Sequence, residues 1–324
     1  MLPVTLLHVL GDGRFHSGEQ LAAQLGVSRA AVWKAVRALR SLGMPTDAVR
    51  GRGYRLQRPF EPLQAPRLTA HLSEAGRSLL GDVDVHLALD STSRWLRERA
   101  SQGAKSGSLC LAEAQTAGRG RRERTWLSPL TGNIYLSVLW RFDHLPPRLG
   151  TLGLALGVAV AQALAARGVE DVALKWPNDL VWRGRKLGGL LIDANAQAAG
   201  PCSVVVGFGL NVHLPDPYRV EAQQPVVDLA EIAPDVAGPR NRLAGVLVDA
   251  LLRALGTFQT AGFPAFARAW QGLDAVAGRE VEVRGPTASV RGTACGVDAD
   301  GALQVLVDGA MHRYSSGDVS VRAA

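Results

Sequence analysis

A segment rich in arginine and glycine is the strongest sign of chemistry in this sequence. Residues Gly118 to Trp126 read GRGRRERTW, and the repulsion among their like charges disfavours both a helix and a strand. Guanidinium groups bind carboxylates and phosphates through paired hydrogen bonds, and glycine lets the backbone approach a ligand closely. The Walker pattern of P-loop enzymes is absent. We therefore predict a loop that closes on an anionic ligand, the alternative being a solvated basic loop.

Two lysines further along the chain form the second candidate group. Only four of the 36 basic residues are lysine, and two of these four, Lys175 and Lys186, occur in the neighbouring segments LKWPNDL and RKLGGLL. The compact ammonium group is not interchangeable with a planar guanidinium group. We therefore predict a function for both lysines. The alternative for Lys175 is an ordinary surface position at the end of a strand.

Alternating strands and helices must position these groups. Apolar runs predict strands at residues 83–89, 108–113, 133–139, 172–176, 187–193 and 203–210, with helices near 93–101 and over 149–166. This mixture predicts a central α/β layer built on a mostly antiparallel or mixed sheet. The arginine-rich segment then connects two of the strands.

The first 60 residues have a composition and a pattern of their own. They hold nine of the 36 basic residues but three of the 29 acidic ones, which indicates a polyanionic partner. Ser17 and Gln20 have capping-box spacing ahead of one helix, Gly26 is placed to end it, and Ser28 is placed to cap a second helix. Residues 48–56 then alternate like a basic hairpin. This order is typical of a winged helix-turn-helix domain.

The second helix and the hairpin present side chains that suit phosphates and base edges. These residues are Ser28, Arg29, Trp33, Lys34, Arg37, Arg50 and Arg52. We predict that they contact double-stranded operator DNA, with a dimer on a two-fold site giving specific binding. The alternative is a small helical domain that binds a protein.

The remaining pattern divides the chain into further units. Pro59, Pro62 and Pro66 each disfavour a regular element and predict a linker over 61–66, after a DNA-binding domain over 1–60. Helical patterns at 241–258 and 263–270 complete a catalytic domain over 67–272. The last part of the chain shows short alternating strands at residues 280–284, 289–295, 302–307 and 311–314. These strands predict a small SH3-like β-barrel over 273–324. The fold class is α/β multidomain.

Composition excludes several other classes of protein. Hydrophobic residues make up 47% and charged residues 20% of the chain, as in an ordinary globular protein. The first residues lack the segments of a signal peptide, and the glycines and polar residues of 149–166 favour a buried helix over a membrane span. Cys110, Cys202 and Cys295 show no metal-binding spacing and suit a reducing cytosol. We expect a cytoplasmic protein with no membrane partner and no metal site built by side chains alone.

Four blocks, in this order, resemble the biotin protein ligases. They read AEAQTAGRGRR from Ala112, KWPND from Lys175, RKLGGLL from Arg185 and GFGLNV from Gly207. The N-terminal segments HSGEQL and SRAAV resemble the bifunctional form of the family, which is also the biotin operon repressor. The likeness extends from about residue 5 to Arg322. The occurrence of all four blocks in order makes it specific.

The resemblance implies a two-step ligase reaction. Biotin and Mg²⁺-ATP give biotinyl-5′-AMP and pyrophosphate, and biotin then passes to one lysine of a biotin carboxyl carrier protein. Biotin is a substrate here, and ATP and Mg²⁺ are the other expected small molecules. The resemblance also implies repression of biotin genes by a homodimer that forms when biotinyl-AMP, the co-repressor, is bound.

The resemblance also assigns roles to individual residues. The catalytic residues are Lys186, Arg121 and Lys175. Biotin is bound by Ser91, Thr92, Ser93, Gln115, Arg119, Gly120, Arg121 and Lys186. ATP is bound by Gly118, Arg121, Trp126, Lys175, Asn178, Lys186 and Asn211, the two asparagines also serving the metal. Arg322 matches a family position near the nucleotide.

Three positions depart from the family pattern, and two other functions stay open. Glu123 stands where the family has glycine, Ser93 stands where asparagine is common, and small apolar residues around Pro225–Val227 replace a tryptophan. One alternative is a biotin-sensing DNA-binding regulator without ligase activity, which retention of Lys175 and Lys186 argues against. The other is a lipoate or octanoyl ligase, which the polar residues for a ureido group disfavour.

Overall fold

The computed structural model describes residues 2–196, 202–222, 224–285, 289–315 and 320–323. Its helices are α1 (Leu2–Leu10), α2 (Gly18–Leu25), α3 (Arg29–Ser41), α4 (Ala65–Thr69), α5 (Glu74–Ser78), α6 (Thr92–Ser101), α7 (Leu152–Ala165), α8 (Asp216–Glu221), α9 (Leu229–Ile232), α10 (Pro234–Ala237), α11 (Arg240–Ala261) and α12 (Pro264–Leu273). Its strands are β1 (Thr46–Val49), β2 (Gly53–Leu56), β3 (Val83–Leu89), β4 (Leu109–Gln115), β5 (Ile134–Phe142), β6 (Val172–Lys175), β7 (Asp179–Trp182), β8 (Arg185–Ala196), β9 (Cys202–Leu210), β10 (Glu280–Arg284), β11 (Ser289–Val297), β12 (Leu303–Val307), β13 (Ala310–Tyr314) and β14 (Ser320–Ala323).

Helices α1, α2 and α3 share one apolar core, and the β1–β2 hairpin forms the wing. Ser17 and Gln20 make the predicted capping box, and the side chain of Ser28 caps α3. Gly26 ends α2 at a φ of 64°, in the left-handed region that glycine adopts at least cost. The predicted winged helix-turn-helix is confirmed, with α1 as an additional helix that the pattern did not predict.

The chain between the wing and the next unit forms no helix or strand over residues 57–64. Pro66 was expected to exclude a regular element, and that prediction is wrong. It lies in the first turn of α4, where the N–H that proline lacks has no helical partner in any case. This segment is held by Glu113, which forms a buried ion pair with Arg240 at 2.7 Å. The same carboxylate accepts a hydrogen bond from the amide N of Leu63 at 2.6 Å.

The central sheet has the strand order β3-β4-β5-β9-β8-β7-β6. Strands β3 and β4 are parallel, and every other neighbouring pair is antiparallel. The predicted mixed sheet is therefore confirmed, with β7 as a strand that the pattern missed. Alternation along the strands gives the sheet two apolar faces, one packed against α7 and α11 and the other against α6.

Helix α11 is long and apolar enough to cross a membrane by length and composition alone. Of its most apolar window, 67% is buried inside the protein, as expected for the core helix of a folded domain. The segment 149–166 forms a 3₁₀ turn at Leu149–Thr151 followed by α7, and most of α7 is buried too. The predicted buried helix over 149–166 is therefore confirmed in α7, and the predicted helix over 241–258 lies within α11.

Strands β10 to β14 form an antiparallel sheet in the order β13-β12-β11-β10-β14. In the part of the chain that the structure describes, the outer strands β13 and β14 do not pair, so the SH3-like unit is an open sheet rather than a closed barrel. Its turn at Gly301 docks on the central domain, where the Gly301 carbonyl accepts a hydrogen bond from Trp176 Nε1 at 3.0 Å. The end of β6 is thereby tied to the C-terminal unit.

Candidate active site

The predicted site residues converge at one end of the central sheet. The arginine-rich loop follows β4, the KWPND segment joins β6 to β7, Lys186 is the second residue of β8, and Asn211 follows β9. Strands β4 and β9 run toward this end and β8 starts from it. The register places Lys175 opposite Asp179, Asp179 opposite Gly189 and Gly189 opposite Gly209, so four segments distant in sequence meet there.

A cluster of hydroxyl and amide groups lies at the N-terminus of α6, and we call it the hydroxyl–amide cluster. Gln115 Oε1 accepts from the amide N of Thr92 at 2.9 Å and from its hydroxyl at 3.2 Å. Ser137 lies 2.8 Å from the Thr92 hydroxyl and 3.0 Å from the Ser93 hydroxyl, and Gln115 Nε2 donates to Ser128 at 2.9 Å. These side chains form a largely buried polar surface suited to a neutral polar ligand.

Sequence reasoning missed two members of this cluster, Ser128 and Ser137. Ser137 is fully buried in the apolar run of β5, and a lone hydroxyl in such a run was the available signal. Ser91 is buried as well, but its hydroxyl caps α6 by accepting from the amide N of Arg94 at 3.4 Å. In the structure Ser91 therefore acts as the N-cap of α6.

Two glycines leave space for the side chains that line the site. A Cβ at Gly209 would stand 2.5 Å from the Trp126 ring, and one at Gly207 would stand 2.7 Å from the Ser93 hydroxyl. Both distances are shorter than real Cβ contacts, so the sequence GFG in β9 keeps the floor of the site flat. The Trp126 ring lies over this floor, and its Nε1 is buried without a hydrogen-bond partner in the part of the chain that the structure describes.

Lys186 lies beside Trp126 with its charge balanced by a carboxylate. Its Nζ is 2.7 Å from Asp179 Oδ1 and 5.2 Å from the centre of the Trp126 ring. Its side chain is 17% exposed, so the ammonium group is largely desolvated while still open to a ligand. Sequence reasoning did not single out Asp179, although it belongs to the KWPND block.

Three more predicted site residues lie on the strands next to Lys186: Lys175, Asn178 and Asn211. Asn178 donates to the carbonyl of Leu190 at 2.6 Å, and Asn211, 5% exposed, donates to the carbonyl of Lys186 at 3.3 Å. Lys175 ends β6 directly opposite Asp179 in the register with β7. Asn178 and Asn211 thus have hydrogen bonds that fix the strands next to Lys186.

The arginine-rich loop contacts this group at one point. Arg121 Nη1 lies 3.4 Å from Asn178 Oδ1, and burial lowers the pKa of the Arg121 guanidinium, with the charge of Arg122 acting in the same direction. Arg119 instead faces Asp193, at 3.9 Å. Gly120 is bonded to the carbonyl of Arg124 at 2.7 Å and closes the loop on itself. The structure therefore brings Arg121 to the KWPND segment, whereas Arg119 lies beside Asp193 on β8.

Gly118 lies between β4 and this loop, where the chain passes close to Trp126 and Ser128. A Cβ there would stand 2.4 Å from the carbonyl oxygen of Trp126 and 2.7 Å from the Ser128 hydroxyl. Glycine is therefore required by a close approach of two chain segments. The loop leaves the sheet at a fixed point next to the hydroxyl–amide cluster.

The residues predicted to contact DNA lie on one exposed surface of the N-terminal unit. Arg29, Trp33, Lys34 and Arg37 are exposed on α3, with the Arg37 guanidinium 4.8 Å from the centre of the Trp33 ring. Arg50 and Arg52 are exposed in the turn of the wing, the latter stacked on Phe15 at 4.1 Å. Ser28 caps the helix that presents the first four side chains.

Three family models match successive parts of the chain. The Biotin/lipoate A/B protein ligase family matches residues 87–211, the HTH domain matches residues 5–55, and the Biotin protein ligase C terminal domain matches residues 276–322. These matches cover the central, N-terminal and C-terminal units respectively.

Individual relatives match all three units together. Bifunctional ligase/repressor BirA of Salmonella typhimurium is 37% identical, covering 100% of this chain and 98% of that protein, and the protein of the same description in Bacillus subtilis is 30% identical, covering 95% and 94%. Among solved structures, the biotin protein ligase from Aquifex aeolicus in complex with biotin and ATP is similar with a TM-score of 0.63 at 27% identity, covering 75% of this chain and 99% of that one.

Proposed function

This chain belongs to the family of bifunctional biotin ligase/repressors, and we propose that its central site makes biotinyl-5′-AMP from biotin and ATP. The same site then transfers biotin to a lysine of a biotin carboxyl carrier protein, and the N-terminal unit represses biotin genes with biotinyl-AMP as co-repressor. The observation that carries this proposal is the position of Trp126. Its ring lies beside the ammonium of Lys186, and its carbonyl oxygen accepts from Ser128 of the hydroxyl–amide cluster at 3.0 Å.

The first step joins two anions, so the site must supply positive charge. A carboxylate oxygen of biotin attacks the α-phosphorus of ATP, and the bond from that phosphorus to its bridging oxygen breaks as pyrophosphate leaves with the electron pair. We assign to Lys186 the contacts with both the carboxylate and the α-phosphate; its pairing with Asp179 at 2.7 Å supports this by holding the ammonium in position beforehand. A fixed cation in a largely desolvated site stabilises the charge that develops in such a transfer.

We assign the recognition of biotin to the hydroxyl–amide cluster. A ureido group has N–H donors and a carbonyl acceptor, which match the hydroxyls of Thr92 and Ser93 and the amide of Gln115. Ser91 contributes by capping the helix that carries two of these side chains. The backbone of Gly120 and the guanidinium groups of Arg119 and Arg121 are available to close over the bound carboxylate and phosphate.

The nucleotide is assigned to the other side of Trp126. Gly118, Arg121 and Trp126 come from the loop, while Lys175, Asn178, Lys186 and Asn211 come from the strand ends. Burial holds the pKa of Arg121 below its usual value, yet the group stays charged at neutral pH and gains from pairing with phosphate. The side chain of Arg322 lies outside the described residues.

Mg²⁺ is proposed to arrive with the nucleotide. Among the residues that the structure describes, no group of three or more His, Cys, Asp or Glu side chains is placed to hold a metal ion. This fits Mg²⁺, which is commonly bound by substrate phosphates, waters and one or two protein oxygens. Oxygens of Asp179 and Asn178 lie at the phosphate side of the site and fit such a supporting role.

In the second step the free amine of the carrier lysine attacks the acyl carbon of biotinyl-AMP. An amide bond forms, the acyl–oxygen bond breaks, AMP leaves, and the nitrogen loses a proton to solvent. The acyl-adenylate is already activated, so this chain needs to hold the intermediate and exclude water rather than form a covalent bond with it.

The cellular setting follows from the same assignment. We infer that the protein is cytoplasmic, has no membrane partner, and binds double-stranded operator DNA as a homodimer when biotinyl-AMP is bound. Linkage supplies the logic, because a ligand that favours the dimer also favours the DNA-binding form. We retain the division into a DNA-binding domain over 1–60, a linker over 61–66, a catalytic domain over 67–272 and an SH3-like domain over 273–324.

The ligase assignment is tested by incubating the full chain with biotin, ATP, Mg²⁺ and a biotin carboxyl carrier domain, then measuring the mass of the carrier. We expect the carrier to gain one biotinyl group, and to gain none when ATP is omitted or lipoate replaces biotin. An unmodified carrier, together with biotin-dependent DNA binding, would instead favour a regulator without ligase activity.

A further inference from the structure

The backbone of Lys186 is paired on its outer side with a segment far along the chain. Its amide N donates to the carbonyl of Pro225 at 2.9 Å, and its carbonyl accepts from the amide N of Val227 at 3.0 Å. Asn211 donates to the carbonyls of both Lys186 and Val227, at 3.3 and 3.2 Å. The segment Pro225–Val227 therefore adds to the sheet beside the catalytic lysine and forms one wall of the nucleotide side.

Asp228, the next residue, holds this wall in place. Its side chain is 2% exposed, and one carboxylate oxygen accepts from Arg219 at 2.6 Å and from the amide N of Leu214 at 2.7 Å. The other oxygen accepts from the amide N of Glu231 at 3.0 Å and caps α9. Both oxygens of this nearly buried carboxylate thus accept hydrogen bonds, within a few residues of the site.

Arg219 extends these contacts back to β8. Its Nε donates to the carbonyl of Leu214 at 2.8 Å, and its Nη1 reaches Glu231 at 3.2 Å. Glu231 in turn accepts from Arg185 at 2.6 Å, and Arg185 precedes Lys186 in the chain. The contacts close a ring, which we call the clasp, that starts and ends at neighbouring residues of β8; its members are Arg185, Lys186, Val227, Asp228, Arg219 and Glu231.

We propose that Asp228 is a positioning residue, which acts with Arg219 to hold the Pro225–Val227 wall against Lys186 before any ligand binds. This inference rests on the proposed function, in that the wall bounds the nucleotide. A wall formed in advance reduces the ordering cost of binding, so it slows the loss of biotinyl-AMP. Without the side-chain contacts of Asp228 and Arg219, the wall keeps its backbone bonds to Lys186, its bond from Asn211 and the packing of Val227 in the core.

The experiment compares Asp228→Asn, Arg219→Gln and the double variant in the full chain. Asparagine preserves the helix cap while removing the charge. Asp171→Asn is the matched control, since Asp171 pairs with Arg183 at 2.8 Å on an exposed surface outside the clasp. The readouts are the dissociation rate of synthetic biotinyl-5′-AMP and hydrogen exchange of the backbone amides of 212–231 without ligand.

We expect either single variant to speed dissociation by roughly 10- to 100-fold, the effect of removing one partner of a largely buried charge pair. Amide exchange in 212–231 should rise in the same variants, and the double variant should be no worse than the stronger single one, because both remove the same contact. The control should match the unmodified chain. Arg219→Gln leaves the Asp228 cap intact, so it tests the clasp even if Asp228→Asn folds poorly.

Two results would overturn the clasp. One is unchanged dissociation and amide exchange in both single variants, and the other is an equal effect of Asp171→Asn. If the unmodified chain failed to bind biotinyl-5′-AMP, the proposed function would fail instead, while amide exchange in the ligand-free chain would still decide whether Asp228 and Arg219 order the wall.

Discussion

Arginine is concentrated on two exposed surfaces of this protein, helix α3 with the wing and the loop after β4, and their backbones differ. On α3, Val32, Val36 and Leu39 are buried, so the opposite face with Arg29 and Arg37 is fixed by the core. The loop has no apolar side chain between Gly118 and Trp126, and polar contacts such as that of Arg121 with Asn178 hold it instead. Consecutive residues Arg122 and Glu123 adopt φ values of 54° and 57°, which non-glycine side chains rarely adopt.

The difference matches the size of the anion that we propose for each surface. DNA presents a long, regular array of phosphates, so a rigid helix with side chains at fixed spacing can read it without rearranging. Biotinyl-AMP is small and must be shielded from water, which requires a surface that folds around it. A high arginine content therefore indicates an anionic partner. Whether the arginines lie on a rigid helix or on a loop then indicates whether the protein binds that partner on its surface or encloses it.

The comparison is sharpened most by Arg121→Ala, which removes the loop arginine nearest the KWPND segment. We expect biotin-dependent exchange of pyrophosphate into ATP to fall by roughly 10²- to 10³-fold, as when one preorganised donor to a transition state is deleted. DNA binding, measured with saturating synthetic biotinyl-AMP, should change little. Arg124→Ala, an exposed change in the same loop, is the control. An equal loss of exchange in Arg124→Ala would show that Arg121 contributes only to the net positive charge of the loop.

The converse substitution is Arg37→Ala on α3. We expect operator binding to weaken by about 1–3 kcal/mol, the usual contribution of one specific base contact, while carrier biotinylation stays normal. Gel-shift titration and the carrier mass assay measure the two activities. Arg99→Ala, an exposed change of the same charge on α6, is the control. Equal loss of both activities would contradict the division of labour between the two surfaces.

The smallest expected effect concerns the strain in the loop. Glu123→Gly relieves a left-handed residue, which costs about 1–2 kcal/mol for an L-amino acid, and removes a carboxylate from the loop that we propose closes on phosphate. We therefore expect biotinyl-AMP to dissociate more slowly, by roughly fivefold, a gain smaller than that strain because glycine also loosens the open loop. Glu123→Ala keeps the strain and removes the charge, so it separates the two causes. Faster dissociation in Glu123→Gly would show that the open loop dominates.

Local patterns predicted much of the fold. The caps at Ser17 and Ser28 and the strand Val83–Leu89 follow from nearby residues, and the structure places them as predicted. Strand β7 was missed because four residues are too few to show a period, and α1 was missed because its nearly all-apolar sequence lacks a polar face.

The candidate site was predictable where its residues match the family, in the four blocks and at Thr92 and Ser93. Lys186, Asn178 and Arg121 were found in this way. Ser137 and Asp228 were not, since the first lies in an apolar strand and the second acts through Arg219 nine residues before it. The buried pair of Glu113 and Arg240 joins residues 127 positions apart, and only the folded chain reveals it.

Biotin-dependent exchange of pyrophosphate into ATP tests most directly whether the ammonium of Lys186 drives adenylation. The unmodified chain and Lys186→Ala are compared, with Lys105→Ala as an exposed lysine control. The account predicts robust exchange in the unmodified chain and the control, and a loss of about 2–4 kcal/mol of transition-state stabilisation in Lys186→Ala. Near-normal exchange in Lys186→Ala would contradict it.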